Sequence, residues 1–295
     1  MENVMLCHYT SMPALTSILK SINVNDKEKS LIMWASSIYA MNDPTEMGYA
    51  YHYFINKVKE YEAQHDIIES MRISTYMADI QQSRLANFTE EMFISHIYNE
   101  RKTPFVISFS EIMDELPMWK MYGDNGSGVC VVFDESILAE TYGDMLSNVV
   151  YIGRENQNRT TEIILPTIIE NECTQCYRDL ENIHTPEEIA TRKIVSWGTL
   201  CAAVGAYLKN GSYYYEKEQR FVLLDETFSK REFRNSIHGN IISYLEVPIP
   251  LAALKEIVVG PCADTNIAYS GLVPLLKNKN IDIEIHKSQI PYRII

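Results

Sequence analysis

Three pairs of polar residues in this 295-residue chain stand two positions apart in stretches of strand chemistry, a spacing that puts both members on one strand face. His8 and Thr10 bring an imidazole and a hydroxyl together, a combination suited to the hydroxyls of a ribose. Ser108 and Ser110 flank Phe109 and leave room for a ligand on an otherwise bulky strand. Glu216 and Glu218 sit inside the aromatic and aliphatic run SYYYEKEQRFVLL. Facing carboxylates raise one pKa of the pair and can stabilise a positively charged, oxocarbenium-like sugar centre. Trp119 and Tyr122, three apart, share one face of a helical turn and offer an aromatic surface to a planar ring. Each feature also has a plain structural reading. A strand histidine can be satisfied within the core, strand serines can bond to backbone, and Glu218 can pair with Arg220 on a solvent-facing edge strand.

These residues need elements to hold them, and the stretch from Phe105 to Phe133 is central. Its two β-branched and aromatic runs, Phe105 to Ser110 and Val129 to Phe133, are bounded by Pro104 and by glycines. Between them Pro117 opens the turn that carries Trp119 and Tyr122, and Gly123, Gly126 and Gly128 permit close backbone approach. Upstream, Met5 to Thr10 reads as a strand, and Ser11 is the expected N-cap of an amphipathic helix around Ala14 to Leu19. Leu31 to Ser36 is a second strand, followed by a turn at Asn42-Asp43-Pro44.

Helical periodicity covers about 47–100, with apolar residues such as Tyr53, Phe54, Val58, Met92 and Phe93 recurring at three to four positions. It returns over about 160–207, where Thr185-Pro186-Glu187-Glu188 signals a helix start. Ser212 to Leu224 reads as a strand, with later strands at Ser243 to Val247, Glu256 to Gly260 and Ile281 to Ile285. Strands and helices do not alternate regularly, so the expected class is α+β: mixed, mainly antiparallel sheets forming a cleft, in one domain over 1–295 with two helical insertions.

The chain carries 26 basic and 39 acidic residues, a net charge of −13, which disfavours broad binding to a phosphate backbone. No apolar run is long enough for a membrane span and no secretory pattern opens the chain, so a cytoplasmic location is expected. Six cysteines are scattered among apolar residues, as reduced buried thiols are. Cys173-x-x-Cys176 has neither the second pair a zinc ribbon needs nor the preceding strand of a dithiol oxidoreductase, and no metal site is expected. P-loop, GxGxxG, HExxH and GxSxG patterns are absent.

An ordered set of motifs resembles the bacterial family known as domain of unknown function 2971 (DUF2971). The set comprises His8-Tyr9-Thr10-Ser11, Met41-Asn42-Asp43-Pro44-x-Glu46, Ser108-Phe109-Ser110-Glu111, Met118-Trp119-x-x-Tyr122-Gly123, Gly128 to Phe133 and Tyr215-Glu216-Lys217-Glu218-x-Arg220. More remotely, the motif order is similar to the ADP-ribosyltransferase superfamily. That second resemblance implies NAD as substrate, bound by His8, Tyr9 and Thr10, with Trp119 or Tyr122 over the nicotinamide and Ser108 and Ser110 as the serine motif. Glu218 would hold the ribose 2′-hydroxyl and stabilise the cation, and Glu216 would activate an acceptor, a protein or nucleic acid, or water in an NAD glycohydrolase. A toxin or phage-defence effector is the implied setting. The pattern departs from the superfamily in joining a first-strand histidine to Ser-x-Ser and Glu-x-Glu motifs, which leaves the acceptor open. The competing class is a non-catalytic module that senses a nucleotide or binds a partner.

Overall fold

A computed structural model describes residues 4–23, 29–43, 46–83, 103–153, 165–189, 192–193, 204–225, 230–236 and 239–294. It begins with β1 (Met5–Thr10), α1 (Met12–Ser21), β2 (Ser30–Ser37), α2 (Glu46–Gln64) and α3 (Ile73–Ser83). The central stretch forms β3 (Thr103–Ser110), α4 (Leu116–Met121) and β4 (Val129–Asp134). There follow α5 (Glu135–Tyr142), β5 (Leu146–Asn148), β6 (Val150–Ile152), α6 (Leu165–Glu181), β7 (Leu208–Asn210) and β8 (Glu218–Asp225). The remainder is β9 (Glu232–Asn235), β10 (Ile241–Pro250), β11 (Leu254–Val259), α7 (Thr265–Asn278) and β12 (Glu284–Lys287).

Local sequence explains the element starts. Ser11 caps α1 by accepting from the Ala14 amide at 3.3 Å, and Pro13 occupies its first turn. Thr185 caps the turn that follows it, the Glu188 amide donating to the Thr185 hydroxyl and that hydroxyl donating to the Glu188 carboxylate. The apolar positions expected at Met92 and Phe93 lie outside the described residues, as does much of 190–203.

The main sheet is mixed and mainly antiparallel, running β12-β11-β4-β1-β3-β2-β10-β9, with β11 and β12 parallel. Its organising strand is β3. Along one edge β3 pairs with β8 over its whole length, from Thr103 opposite Asp225 to Ser110 opposite Glu218. The other edge is shared: β1 meets it at Ser110, opposite Cys7, and β2 meets it at Val106 and Phe105, opposite Ser36 and Ser37. The sheet therefore forks, one arm continuing through β1 and the other through β2, and Ile107, Ser108 and Phe109 lie at the crotch.

One face of the sheet, bearing Leu6, Leu31, Met33, Phe105, Ile107, Phe109 and Val131, packs against α1, α5 and α7. The opposite face is covered in two pieces. Helices α2, α3 and α6 close over Val106 and Val222, while α4 closes over Cys7, Tyr9, Cys130 and Val132.

The expected strand from Ser212 to Leu224 is corrected in its first half. Gly211–Glu216 is a 3-10 turn, and Lys217 takes a left-handed conformation (φ 42°) before β8 begins at Glu218. Asn210 starts this turn by accepting from the Ser212 amide at 2.9 Å. That local hydrogen bond overrides the strand preference of three consecutive tyrosines. No described helix is long and apolar enough to cross a membrane.

Candidate functional site

A pocket of about 260 Å³ opens at the fork, between the two helical covers. His8 fills the crotch. Its Nδ1 donates to the Ser108 carbonyl at 2.9 Å, on the edge of β3 where neither β1 nor β2 pairs. By strand alternation His8 belongs with Leu6 and Phe109 on the α1 side, while Ser108, Ser110 and Glu218 belong to the other face. Both sets reach the pocket because it passes between the arms. Burial lowers the pKa of His8 further than its bond to Ser108 raises it, so the ring is neutral and Nε2 is left as an acceptor.

Beside His8 lies a buried charge cluster built from two strands and a turn. Lys209 on β7 donates to Glu216 Oε2 at 2.6 Å and to Glu218 Oε2 at 2.8 Å. Arg220, with no exposed surface, donates from Nε to Glu218 Oε1 at 2.7 Å and from Nη1 to the Ala206 carbonyl at 2.7 Å. Tyr122 completes the set by donating to Glu216 Oε1 at 2.6 Å. Two carboxylates thus meet two cations, and the cluster is formally neutral. Burial opposes ionisation of Glu218, yet the charges and hydrogen bonds of Arg220 and Lys209 outweigh it and hold its pKa down to about 2. Burial, and then Glu216, push the Tyr122 hydroxyl well above its ordinary value, so it stays a donor.

Two expectations about the glutamates are therefore corrected. They do not share a strand face, because Glu216 ends the 3-10 turn; the left-handed Lys217 and the shared Lys209 bring their carboxylates together. Nor is the Glu218–Arg220 pair a surface pair, since both side chains are buried on a strand that pairs with β3 on one edge and β5 on the other.

His8, Tyr9, Ser108, Ser110, Tyr122, Glu216 and Glu218 all line the pocket; Thr10 and Trp119 do not. Trp119 is wholly buried under α4, edge-on to Tyr9, and its indole donates to Asp114 Oδ1 at 2.8 Å. Asp114 has a positive φ of 58° and also binds the Ser288 hydroxyl and, at 2.8 Å, the Gln289 amide, so the C-terminal segment pins the turn in place. Tyr9 turns its hydroxyl to the Ile112 carbonyl, and Ser110 donates to the Glu216 carbonyl while accepting from the Ile112 amide. Both are scaffolding by their bonding. The Ser108 Oγ is buried with no hydrogen-bond partner among the described residues.

The pocket has further walls that pattern reading missed: Lys209, Trp34, Ser36, Asn42 and Arg234. A signal for Trp34 was present. In the alternating strand Ser30–Ser37, Leu31, Met33 and Ala35 face the core, which leaves Trp34 and Ser36 on the outer face. Lys209 carried no such signal, because β7 is only three residues long and follows a region with helical periodicity.

Residues 118–221 match the family model described as protein of unknown function (DUF2971). The chain is similar to that family. No curated protein and no solved structure matches it. The DUF2971 match runs from α4 into β8 and contains the whole charge cluster, Tyr122, Lys209, Glu216, Glu218 and Arg220, whereas His8 and Ser108 lie before it.

Proposed function

We propose that this pocket takes the nicotinamide–ribose end of NAD and that the protein is an ADP-ribosyltransferase, or an NAD glycohydrolase where water is the acceptor. The observation that supports the reading is the convergence of a neutral histidine acceptor, an unpartnered serine hydroxyl and two carboxylates held by one lysine on one pocket. At about 260 Å³ the pocket falls below the ~300–1,000 Å³ of sites that enclose a drug-sized ligand, so a dinucleotide would insert one end only. In the reaction the bond from the ribose C1′ to the nicotinamide nitrogen breaks, its electron pair leaving with nicotinamide. The acceptor oxygen or nitrogen then bonds to C1′ and loses a proton. Glu216, facing one cation where Glu218 faces two, supplies the less neutralised charge to the developing sugar cation. Glu218 keeps Arg220 and Lys209 in place. The acceptor is a macromolecule or water.

One observation favours a second reading, a non-catalytic nucleotide-binding module: the carboxylates are already balanced by Lys209 and Arg220. The test is nicotinamide release from NAD by the parent and by a charge-balanced double variant, Glu216→Gln with Lys209→Met. It removes one charge of each sign and leaves Glu218–Arg220 intact. Release by the parent and a loss of roughly 100- to 1000-fold in a folded double variant are expected. NAD binding without release by the parent selects the binding module, and absence of both binding and release removes the NAD reading.

A further inference from the structure

We propose that Arg234, with Ser36, forms a phosphate subsite beside Trp34 at the β2–β9 end of the pocket, so that the ligand it takes is a phosphorylated nucleoside. The proposal deepens the nucleotide reading and rests on it for the nucleoside, but the anion site stands on its own geometry. Arg234 lies on β9 opposite Ile242 of β10, and Ser36 of β2 lies opposite Tyr244 of the same strand. The guanidinium thus reaches across β10 to donate from Nη2 to the Ser36 Oγ at 3.1 Å.

Its bonding contrasts with that of Arg220. Each nitrogen of Arg220 donates, Nε and Nη2 to the Glu218 carboxylate and Nη1 to the Ala206 carbonyl. The Nε of Arg234 is buried without an acceptor, and no carboxylate among the described residues forms an ion pair with it. A buried N–H left unpaired is costly, and a guanidinium fork is shaped for two oxygens of one phosphate. Glu232 and Glu246 lie beside Tyr244 on this face and act on it electrostatically, but neither pairs with Arg234.

The neighbouring side chains suit the rest of a nucleotide. Trp34 is 38 % exposed on the pocket wall, and its ring lies 4.7 Å from that of Tyr244 at an interplanar angle of 34°. An exposed indole backed by a second ring is a stacking platform for a base. The charge layout points the same way, since the Glu216–Glu218 end is neutralised internally and the opposite end presents Arg234, which pairs with no carboxylate among the described residues, in a chain of net charge −13.

The test is calorimetric titration of parent, Arg234→Gln and Arg234→Lys proteins with nicotinamide mononucleotide, nicotinamide riboside and inorganic pyrophosphate. For the parent, the mononucleotide is expected to bind about tenfold or more tighter than the riboside. Arg234→Gln is expected to erase that preference with riboside affinity within about twofold of the parent, and Arg234→Lys, lacking the fork, to restore only part of it. Equal parent affinities for mononucleotide and riboside, or a preference that survives Arg234→Gln, overturn the subsite while the nicotinamide reading stands. Pyrophosphate binding that depends on Arg234, with no binding of either nicotinamide compound, keeps the subsite and removes the nicotinamide reading. If none of the three probes binds the folded parent, the subsite falls.

Discussion

Arg220 donates to Glu218 across two positions of one strand at 2.7 Å, and Arg220 has no exposed surface. Taking away one member of a buried pair strands the other, which typically costs about 3–5 kcal/mol. Glu218→Gln leaves Arg220 and Lys209 facing a neutral amide. The variant is expected to lose stability on that scale in urea denaturation, whatever its activity. A loss below about 1 kcal/mol would show that the pair behaves like an exposed one.

Acid should expose the same linkage. The folded-state pKa of Glu218 lies at about 2, below its ordinary 4.5, so its contribution is present above pH 4.5 and is lost as the pH falls towards 2. His8 acts in the same direction at higher pH. Its folded-state pKa is depressed below 6.5, so the unfolded chain takes up the proton first and stability declines as the pH falls below 6.5. Unfolding free energy measured from pH 8 downwards is expected to show an early decline that His8→Gln removes. A pH profile unchanged by that substitution would contradict the neutral, half-buried imidazole.

The two described tryptophans around the pocket should report differently on ligand. Trp34 is on the wall and Trp119 is buried and bonded to Asp114. Adding NAD is expected to quench fluorescence in the parent and in Trp119→Phe but not in Trp34→Phe. Quenching that persists in Trp34→Phe would place the ligand's ring elsewhere.

Gly128 is required by close approach. A Cβ there would lie 2.2 Å from the Thr10 carbonyl oxygen, whereas one at Gly48 in α2 would meet nothing within 4 Å. Gly128→Ala is expected to cost about 1–3 kcal/mol by forcing β1 away. Gly48→Ala is expected to be neutral or stabilising by up to about 1 kcal/mol. Thermal melts of the two variants give the comparison directly.

Much of the architecture was legible because it is written in local patterns. Short runs of strand chemistry marked β1, β2 and part of β10, β-branched and aromatic runs bounded by Pro104 and glycines marked β3 and β4, and Ser11, Thr185 and Pro117 marked helix starts. What local pattern cannot show is which strands share an edge. The fork at β3 depends on pairings about 70 to 100 residues apart, and it decides that His8 reaches the same pocket as Ser108 from the opposite sheet face. The Glu216–Glu218 spacing suggested adjacent carboxylates, and they are adjacent, but through a left-handed Lys217 and a shared Lys209 that strand spacing does not encode. Trp119 had the right spacing for a ligand platform and the wrong environment. Its burial follows from the packing of α4 over Tyr9 and from an Asp114 partner five residues upstream.

The hold of Ser288 and Gln289 on Asp114 carries a temporal consequence. Synthesis proceeds from the N-terminus, so Asp114, Trp119 and Tyr122 leave the ribosome long before the residues that tie their turn down. A nascent chain that has completed the DUF2971 stretch still has its α4 turn untethered at the far side. The stretch of pocket wall that carries Met118 and Tyr122 is therefore held in place only once the chain has been made through Gln289, well beyond the residues that build the charge cluster.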